Sequence, residues 1–319
     1  MPRPGPILIY SIYQPDIPRF ERLIARALPD VAIACARTPE EAAPYLDDAV
    51  ILYGWGFPPE MLGRMPKLRW LQKMGAGVDD IIAHWPFGPQ VLLTRTDGAL
   101  IAPRMAEYVL GAILERSMGF DAARAQQKRR HWEFFEVGTI RNLVIGLAGV
   151  GAIGSIVAQA LRALGARVIG WRRSQQHCAS VDELFAGAEA LPRFVAACDV
   201  IVLILPLTKA TKNLIGADLF ARCRRGVHII NVGRGGLVDE AALIEAIKAR
   251  IVSHATLDVF ATEPLSPDHP FWENPHITIT PHVCGPLVPE DVVPHFLANY
   301  AAFSSGGPLA NIIDLDRQY

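Results

Sequence analysis

Short apolar runs rich in β-branched residues alternate with longer amphipathic stretches along nearly the whole chain. That alternation predicts a parallel α/β architecture, because period-2 or continuous apolar runs make strands and 3.6-period stretches make the crossover helices. PILIYS (6–11), VAIACA (31–36), AVILYG (49–54), LRWLQKMG (68–75) and VLLTR (91–95) read as a first set of strands, with helices such as PRFERLIARAL (18–28) between them. TDGALIAP (96–103) breaks the pattern and reads as a connector. A long helix is expected from about Ala106 into AARAQQKRR (122–130). Six further strands follow: NLVIGLAG (142–149), ARVIGW (166–171), DVIVLIL (199–205), GVHIINV (226–232), VSHATLDV (252–259) and HITITP (276–281). A helical tail (290–303) has no strand partner of its own and is expected to return to the first domain.

The chain has 319 residues, more than one core usually supports, so two domains are expected. The boundaries read as 1–100 with 286–319 for the first, discontinuous domain and 101–285 for the second. With 51% hydrophobic and 20% charged residues, the composition is that of a folded globular protein. A formal net charge of −1 argues against nucleic acid or an anionic membrane as partner. Cys35, Cys178, Cys198, Cys223 and Cys284 are scattered, with no CxxC pair, so neither a disulfide framework nor a metal site is expected. MPRPGPILIYS lacks the layout of a signal peptide, and VIVLILPL (200–207) is too short to span a bilayer. A soluble, cytoplasmic protein is the expectation.

Gly149-Val150-Gly151-Ala152-Ile153-Gly154 is a G-x-G-x-x-G directly after a buried-type strand and before the helical SIVAQALRAL (155–164). Glycines also serve ordinary turns, so the motif alone is weak. In this context each has a reason: the first for a tight turn, the second for close approach of a pyrophosphate, the third for helix-on-strand packing. Free N–H groups at the helix start then hold phosphates. The motif and the six strands together point to a Rossmann-type dinucleotide-binding domain.

Arg172 lies 23 residues beyond Gly149, where that fingerprint expects a carboxylate for the ribose hydroxyls. Adjacent arginines at a strand end are also common on any solvated surface. Here, however, no Asp or Glu occurs between Gly146 and Asp182. Two guanidiniums suit a 2′-phosphate, and Ser174 could add a hydroxyl donor. Arg172, Arg173 and Ser174 therefore favour NADP(H) over NAD(H).

Three later strand ends carry candidate chemistry: Arg234 in NVGRGGLVDEAAL (231–243), Glu263 in LDVFATEPL (257–265) and His282 in ITPHVCG (279–285). Each alone could be an ordinary surface or loop residue. Together they form a sensible set, because ligand crevices in open α/β sheets lie at the carboxyl ends of strands. A 2-oxo acid needs a bidentate cation for its carboxylate and a proton for its carbonyl as hydride arrives. An arginine and a histidine supply those, and a carboxylate beside the histidine holds the ring and favours its charged form.

Over nearly its whole length the chain resembles the D-isomer-specific 2-hydroxyacid dehydrogenases. KMGAGVDDI (73–81), MAEYVLG (105–111), GLAGVGAIG (146–154), LPLTKATKNLIG (205–216), NVGRGGLVDEAAL (231–243), LDVFATEPL (257–265) and TPHV (280–283) carry the likeness. Trp55 ahead of PPEML (58–62), HW (131–132), the basic pair and the ending IIDLDRQY (312–319) resemble the bacterial glyoxylate/hydroxypyruvate reductase A type, which prefers NADPH. The terminal RQY departs from that type's RGY, and Cys284 stands where a small apolar residue is usual.

The resemblance implies an oxidoreductase that reduces glyoxylate or hydroxypyruvate to the D-2-hydroxy acid. It implies a Rossmann-type cofactor domain and a flavodoxin-like α/β substrate domain. Arg234 would bind substrate, His282 would donate the proton, and Glu263 would pair with it. Gly75, Ala76 and Gly77 would offer N–H groups to the substrate carboxylate, and Trp55 would wall the substrate pocket, although tryptophans mostly pack in cores. Leu205, Pro206, Leu207 and Thr211 would line the adenosine side, Val232, Gly233 and Arg234 the nicotinamide ribose, and Asp258 the nicotinamide amide. A homodimer is implied through the cofactor domain, using the long helix and the loop around Trp132. Two alternatives keep the fold: a dehydrogenase for a bulkier 2-oxo acid, and a non-catalytic cofactor-sensing protein.

Overall fold

The computed structural model describes residues 5–12, 16–88, 90–174 and 178–315. Gln175 and Gln176, which follow the basic pair, and the terminal RQY lie outside the described residues. The chain divides into two compact units, one of Met1–Leu100 with Leu287–Tyr319 and the other of Ile101–Pro286.

The first unit is built on five parallel strands, β1 (Ile7–Ser11), β2 (Ile33–Ala36), β3 (Ile51–Trp55), β4 (Trp70–Lys73) and β5 (Leu92–Arg95). Their spatial order is β2-β1-β3-β4-β5, the flavodoxin-like order. β1 is buried at all five positions, as a strand covered on both faces must be. The Pro289–Ser305 helix belongs to this unit. Its Phe296 stacks on Tyr53 at 4.5 Å and on Trp70 at 5.3 Å between ring centroids. Such pairs add about 0.5–1.5 kcal/mol each beyond the area they bury. Asn299 on the same helix donates to Gln72 Oε1 at 3.1 Å, a buried polar contact that sets the helix's register on the sheet.

The second unit carries seven parallel strands: β6 (Val144–Ala148), β7 (Arg167–Arg172), β8 (Glu183–Ala186), β9 (Val200–Leu203), β10 (Val227–Asn231), β11 (Val252–Leu257) and β12 (Ile277–Ile279). The order β12-β11-β10-β9-β6-β7-β8 is doubly wound from β6, a Rossmann-type sheet with one added edge strand. Leu203, Ile229, Leu257, Phe194 and Phe220 are among the side chains of its core.

Three expectations about elements need correction. β8 makes seven strands rather than six; its Glu-Leu-Phe-Ala sequence has little strand character, and pairing of Glu183 to Ala186 along Ile169 to Arg172 imposes the extended form. The 96–103 connector is largely helix, since Gly98–Ser117 forms one helix that contains Pro103. Asp97 starts it, accepting from Ala99 N–H at 2.9 Å on its carboxylate and from Leu100 N–H at 3.1 Å on its carbonyl. The long helix expected to run on to residue 130 is two helices, Gly98–Ser117 and Phe120–Lys128. Gly119 separates them at φ +66°, a left-handed conformation that ends a helix and that glycine adopts without strain.

Candidate functional site

In the second unit the backbone ladder runs on past the strands and fixes the loops at their carboxyl ends. Ile204 N–H donates to Ala148 O, Val232 N–H to Leu203 O, Asp258 N–H to Asn231 O and Thr280 N–H to Leu257 O, at 2.9–3.2 Å. Because all seven strands are parallel, these loops emerge at one end of the sheet.

The glycine turn follows β6. Gly149 has φ +108°, and a Cβ there would lie 2.7 Å from Ile204 O. A Cβ on Gly154 would lie 2.1 Å from Gly149 O, so the helix can approach the turn this closely only with glycine. Gly151 differs: nothing lies within 4 Å of the place its Cβ would take, so the turn leaves open space at its centre. Gly151 caps the Ala152–Ala163 helix, whose first turn includes Ala152, Ile153 and Gly154. An open glycine before free helix N–H groups is a cradle for a phosphate group.

Arg172 is the last residue of β7, and its carbonyl accepts from Gly187 N–H at 3.1 Å. Arg173 and Ser174 follow, both exposed. Burial raises the nearby Cys178 thiol, but hydrogen bonds from Ser180 and Ser155 and the Arg172 charge outweigh it and bring the thiol below its ordinary value. Ser155 stands in the first turn of the Ala152–Ala163 helix, so Arg172 and the glycine turn share one neighbourhood.

Beyond β9, Leu205 and Leu207 are half-buried and Pro206 is exposed. The Thr211 hydroxyl donates to Pro206 O at 2.7 Å and accepts from Thr208 N–H at 2.8 Å, which closes this loop. Beyond β10, Val232 is buried, and Asn231 uses its side chain twice: Oδ1 accepts from Gly233 N–H and Nδ2 donates to Arg234 O. Arg234 Nη1 donates to Gly233 O at 2.8 Å. A Cβ on Gly235 would lie 1.8 Å from the Phe260 carbonyl carbon, so the Arg234 loop is pressed onto the loop that carries Glu263.

His282 Nδ1 lies 2.7 Å from Glu263 Oε2, while Glu263 Oε1 accepts from Phe260 N–H at 3.0 Å. Burial raises the Glu263 carboxyl, but the bonds from His282 and Phe260, with the charges of His282 and Arg234, outweigh it and hold it below its ordinary value. Glu263 is thus ionised at neutral pH and can only accept, so Nδ1 is the donor and Nε2 is left for chemistry.

The His282 backbone is left-handed, φ +54°, an uncommon state for histidine. Asp258 holds it there. Its carbonyl accepts from His282 N–H at 2.9 Å. Its fully buried carboxylate accepts from Thr280 Oγ1 (2.6 Å), Val283 N–H (2.8 Å) and Cys284 N–H (2.9 Å). Since Thr280 donates to Asp258, Tyr108 must be the donor in its 2.6 Å bond to Thr280 Oγ1. Sequence reasoning assigned neither Tyr108 nor Thr280 a role; a Tyr-to-Thr pairing 172 residues apart leaves no local signal. Cys284, the residue that departs from the family pattern, is buried, with its sulfur 3.9 Å from Val232 O.

In the first unit Trp55 is the half-buried last residue of β3. Gly75, Ala76 and Gly77 follow β4, the neighbouring strand. A Cβ on Gly75 would meet nothing within 4 Å. Arg234, Glu263 and His282, together with the candidate cofactor residues, belong to the second unit; Trp55 and Gly75–Gly77 belong to the first.

These features define a Rossmann-type α/β protein that presents a histidine–carboxylate pair and an arginine beside a dinucleotide cradle. Residues 110–284 match the model of the D-isomer specific 2-hydroxyacid dehydrogenase NAD binding domain. A glyoxylate/hydroxypyruvate reductase A from Serratia proteamaculans is 34% identical over 82% of this chain and 85% of its own length. A crystal structure of an NADPH-dependent glyoxylate/hydroxypyruvate reductase from Sinorhizobium meliloti, in complex with NADP and sulfate, superposes with a TM-score of 0.90 at 31% identity, covering 99% of this chain and 100% of that one. A D-isomer specific 2-hydroxyacid dehydrogenase from Xanthobacter autotrophicus, in complex with NADPH and MES, gives 0.89 at 30% identity, covering 99% of each chain. The chain belongs to the D-isomer specific 2-hydroxyacid dehydrogenase family.

Proposed function

We propose that this protein is an NADPH-dependent reductase of glyoxylate and hydroxypyruvate, the latter giving the D-2-hydroxy acid. The observation that carries the reading is the His282–Glu263 bond with Arg234 on the adjoining loop. The glyoxylate/hydroxypyruvate reductases among its relatives, and the NADP or NADPH bound in the similar crystal structures, support the same substrate class and cofactor.

The second unit fits a phosphorylated dinucleotide. Gly151 offers open space at the helix start, the β7 end carries Arg172 and Arg173 in place of an acid, and Ser174 adds a hydroxyl. In this reading Gly149–Gly154 cradle the pyrophosphate and Arg172, Arg173 and Ser174 take the 2′-phosphate. Leu205–Leu207 with Thr211 flank the adenosine, and Val232–Arg234 with Asp258 flank the nicotinamide side. Bound NADPH supplies the hydride that reaches C2. His282 gives its Nε2 proton to the carbonyl oxygen, and Glu263 steadies the ring and its positive charge. Arg234 holds the carboxylate and carbonyl oxygens as a bidentate cation. Gly75, Ala76 and Gly77 offer N–H groups to the carboxylate, and Trp55 limits the size of the acid.

The protein works in this reading as a cytoplasmic homodimer. All five cysteines are free thiols, as a reducing compartment favours. Among the described residues no helix is long and apolar enough to cross a membrane. Trp132 and Phe134 are 88% and 91% exposed just after the Phe120–Lys128 helix, and a second copy covering them would remove a large apolar area from water.

A panel of 2-oxo acids assayed with NADPH and with NADH tests the function. Turnover of glyoxylate or hydroxypyruvate with NADPH preferred is the expected result. Reduction of bulky 2-oxo acids alone, or cofactor binding with no reduction, would overturn it.

A further inference from the structure

The loop that follows β4 has its carbonyls tied down on one side. Thr96 N–H donates to Lys73 O at 3.1 Å and to Gly75 O at 3.3 Å. The Arg95 guanidinium donates through Nη1 to Ala76 O at 3.0 Å. The loop's ends are closed by an ion pair between buried Lys73 and Asp80. Met74 N–H donates to Gly54 O at 3.0 Å and anchors the entry. Among the described residues no acceptor hydrogen-bonds to the N–H groups of Gly75, Ala76 or Gly77.

A trans peptide is planar, with its C=O and N–H pointing in opposite directions. Fixing Gly75 O therefore fixes the Ala76 N–H, and fixing Ala76 O fixes the Gly77 N–H away from Arg95. The first task falls to the Thr96 backbone, which the strand ladder delivers whatever its side chain. The second falls to one side chain. Arg95 is well placed for it, because its N–H donates to Asn311 O at 3.2 Å and its carbonyl accepts from His295 Nε2 at 3.3 Å. Its backbone is thus held from two sides while its guanidinium reaches across to the loop.

We propose that Arg95 is a positioning residue that orients the Gly77 N–H to receive the substrate carboxylate. This rests on the reading of the chain as a 2-oxo acid reductase whose substrate meets the Gly75–Gly77 loop. Without the Arg95 bond the 76–77 peptide is free to rotate, and a carbonyl oxygen turned toward a carboxylate repels it. Burial lowers the guanidinium from its ordinary range, with Asp97 partly offsetting this, so the positive charge stands in a poorly solvated place where it also favours an anion nearby.

The test uses oxamate, an unreactive 2-oxo acid mimic, titrated calorimetrically into the protein saturated with NADPH. Arg95→Gln should weaken oxamate by about 10- to 100-fold, the loss of one charge-assisted hydrogen bond. It should raise KM for the 2-oxo acid in parallel while kcat and the NADPH affinity stay within about twofold. Arg95→Lys, which keeps the charge but not the fork, should recover part of the loss. Oxamate affinity within about twofold of wild type in a folded Arg95→Gln variant overturns the proposal. Should that variant not fold, the Lys variant decides by the same criterion. Wild-type protein that binds NADPH but not oxamate refutes the reductase reading itself, a result distinct from failure of the Arg95 assignment.

Discussion

His282 Nδ1 donates to Glu263 Oε2 across 2.7 Å, and that bond leaves Nε2 as the nitrogen available to a substrate. Replacing His282 by Gln should lower kcat by about 10²- to 10⁴-fold, the usual worth of a general acid, with little change in NADPH affinity. Stopped-flow hydride transfer with fluorescence titration of NADPH would check both. A loss below tenfold in the chemical step would leave the proton to another donor.

Glu263, proposed to steady His282, should also contribute to stability. Its folded-state carboxyl is held below its unfolded value, so the contribution is complete above the ordinary glutamate range and disappears as pH falls through the lower folded value. Glu263→Gln should therefore melt earlier than wild type at neutral pH, with the gap in Tm narrowing as pH falls below that range. A gap that stays constant across pH contradicts the assignment.

The acid limb of stability should also involve His228. Burial, with His254 and Arg116 nearby, pushes this imidazole down to about 3, and it is held neutral with its Nε2 2.9 Å from Thr256 Oγ1. A base with a depressed folded pKa binds its proton first in the unfolded chain, so stability is full above the unfolded value and is lost as pH falls toward the folded one. Thermal melts between pH 7 and pH 4.5 should decline less steeply for His228→Asn than for wild type.

Arg172 is the position expected to decide the cofactor. Arg172→Asp would remove the proposed 2′-phosphate ligand and supply an acid for ribose hydroxyls, so the ratio of kcat/KM for NADPH over NADH should fall by at least about tenfold, one lost charge-assisted bond. An unchanged ratio would assign the selectivity to Arg173 and Ser174.

Two glycines offer a contrast that separates folding from binding. Gly154→Ala forces a Cβ to within 2.1 Å of Gly149 O and should lower Tm and abolish tight NADPH binding together. Gly75→Ala places its Cβ in open space, so Tm should hold while KM for the 2-oxo acid rises. Equal effects on Tm in both would leave the open space at Gly75 without a function.

Much of this protein is determined by local sequence. The apolar runs specify strands because a parallel sheet is covered on both faces, and the glycine spacing between a strand and a helix specifies a tight turn, in which Gly154 answers the nearby Gly149 carbonyl while Gly149 answers Ile204, far along the chain. The place of Arg172 at the end of β7, with Arg173 and Ser174 after it, is legible as a short offset from that turn. Other features are settled only by contacts distant in sequence. The Glu183–Ala186 strand exists because β7 offers it a ladder, and the Gly98–Ser117 helix continues through Pro103, where one-residue propensity reads a break. The left-handed backbone of His282 depends on Asp258, and the buried carboxylate of Asp258 depends on a chain of hydroxyls from Thr280 to Tyr108. Such states are unfavourable residue by residue, and only a folded structure that supplies every missing hydrogen-bond partner at once can hold them.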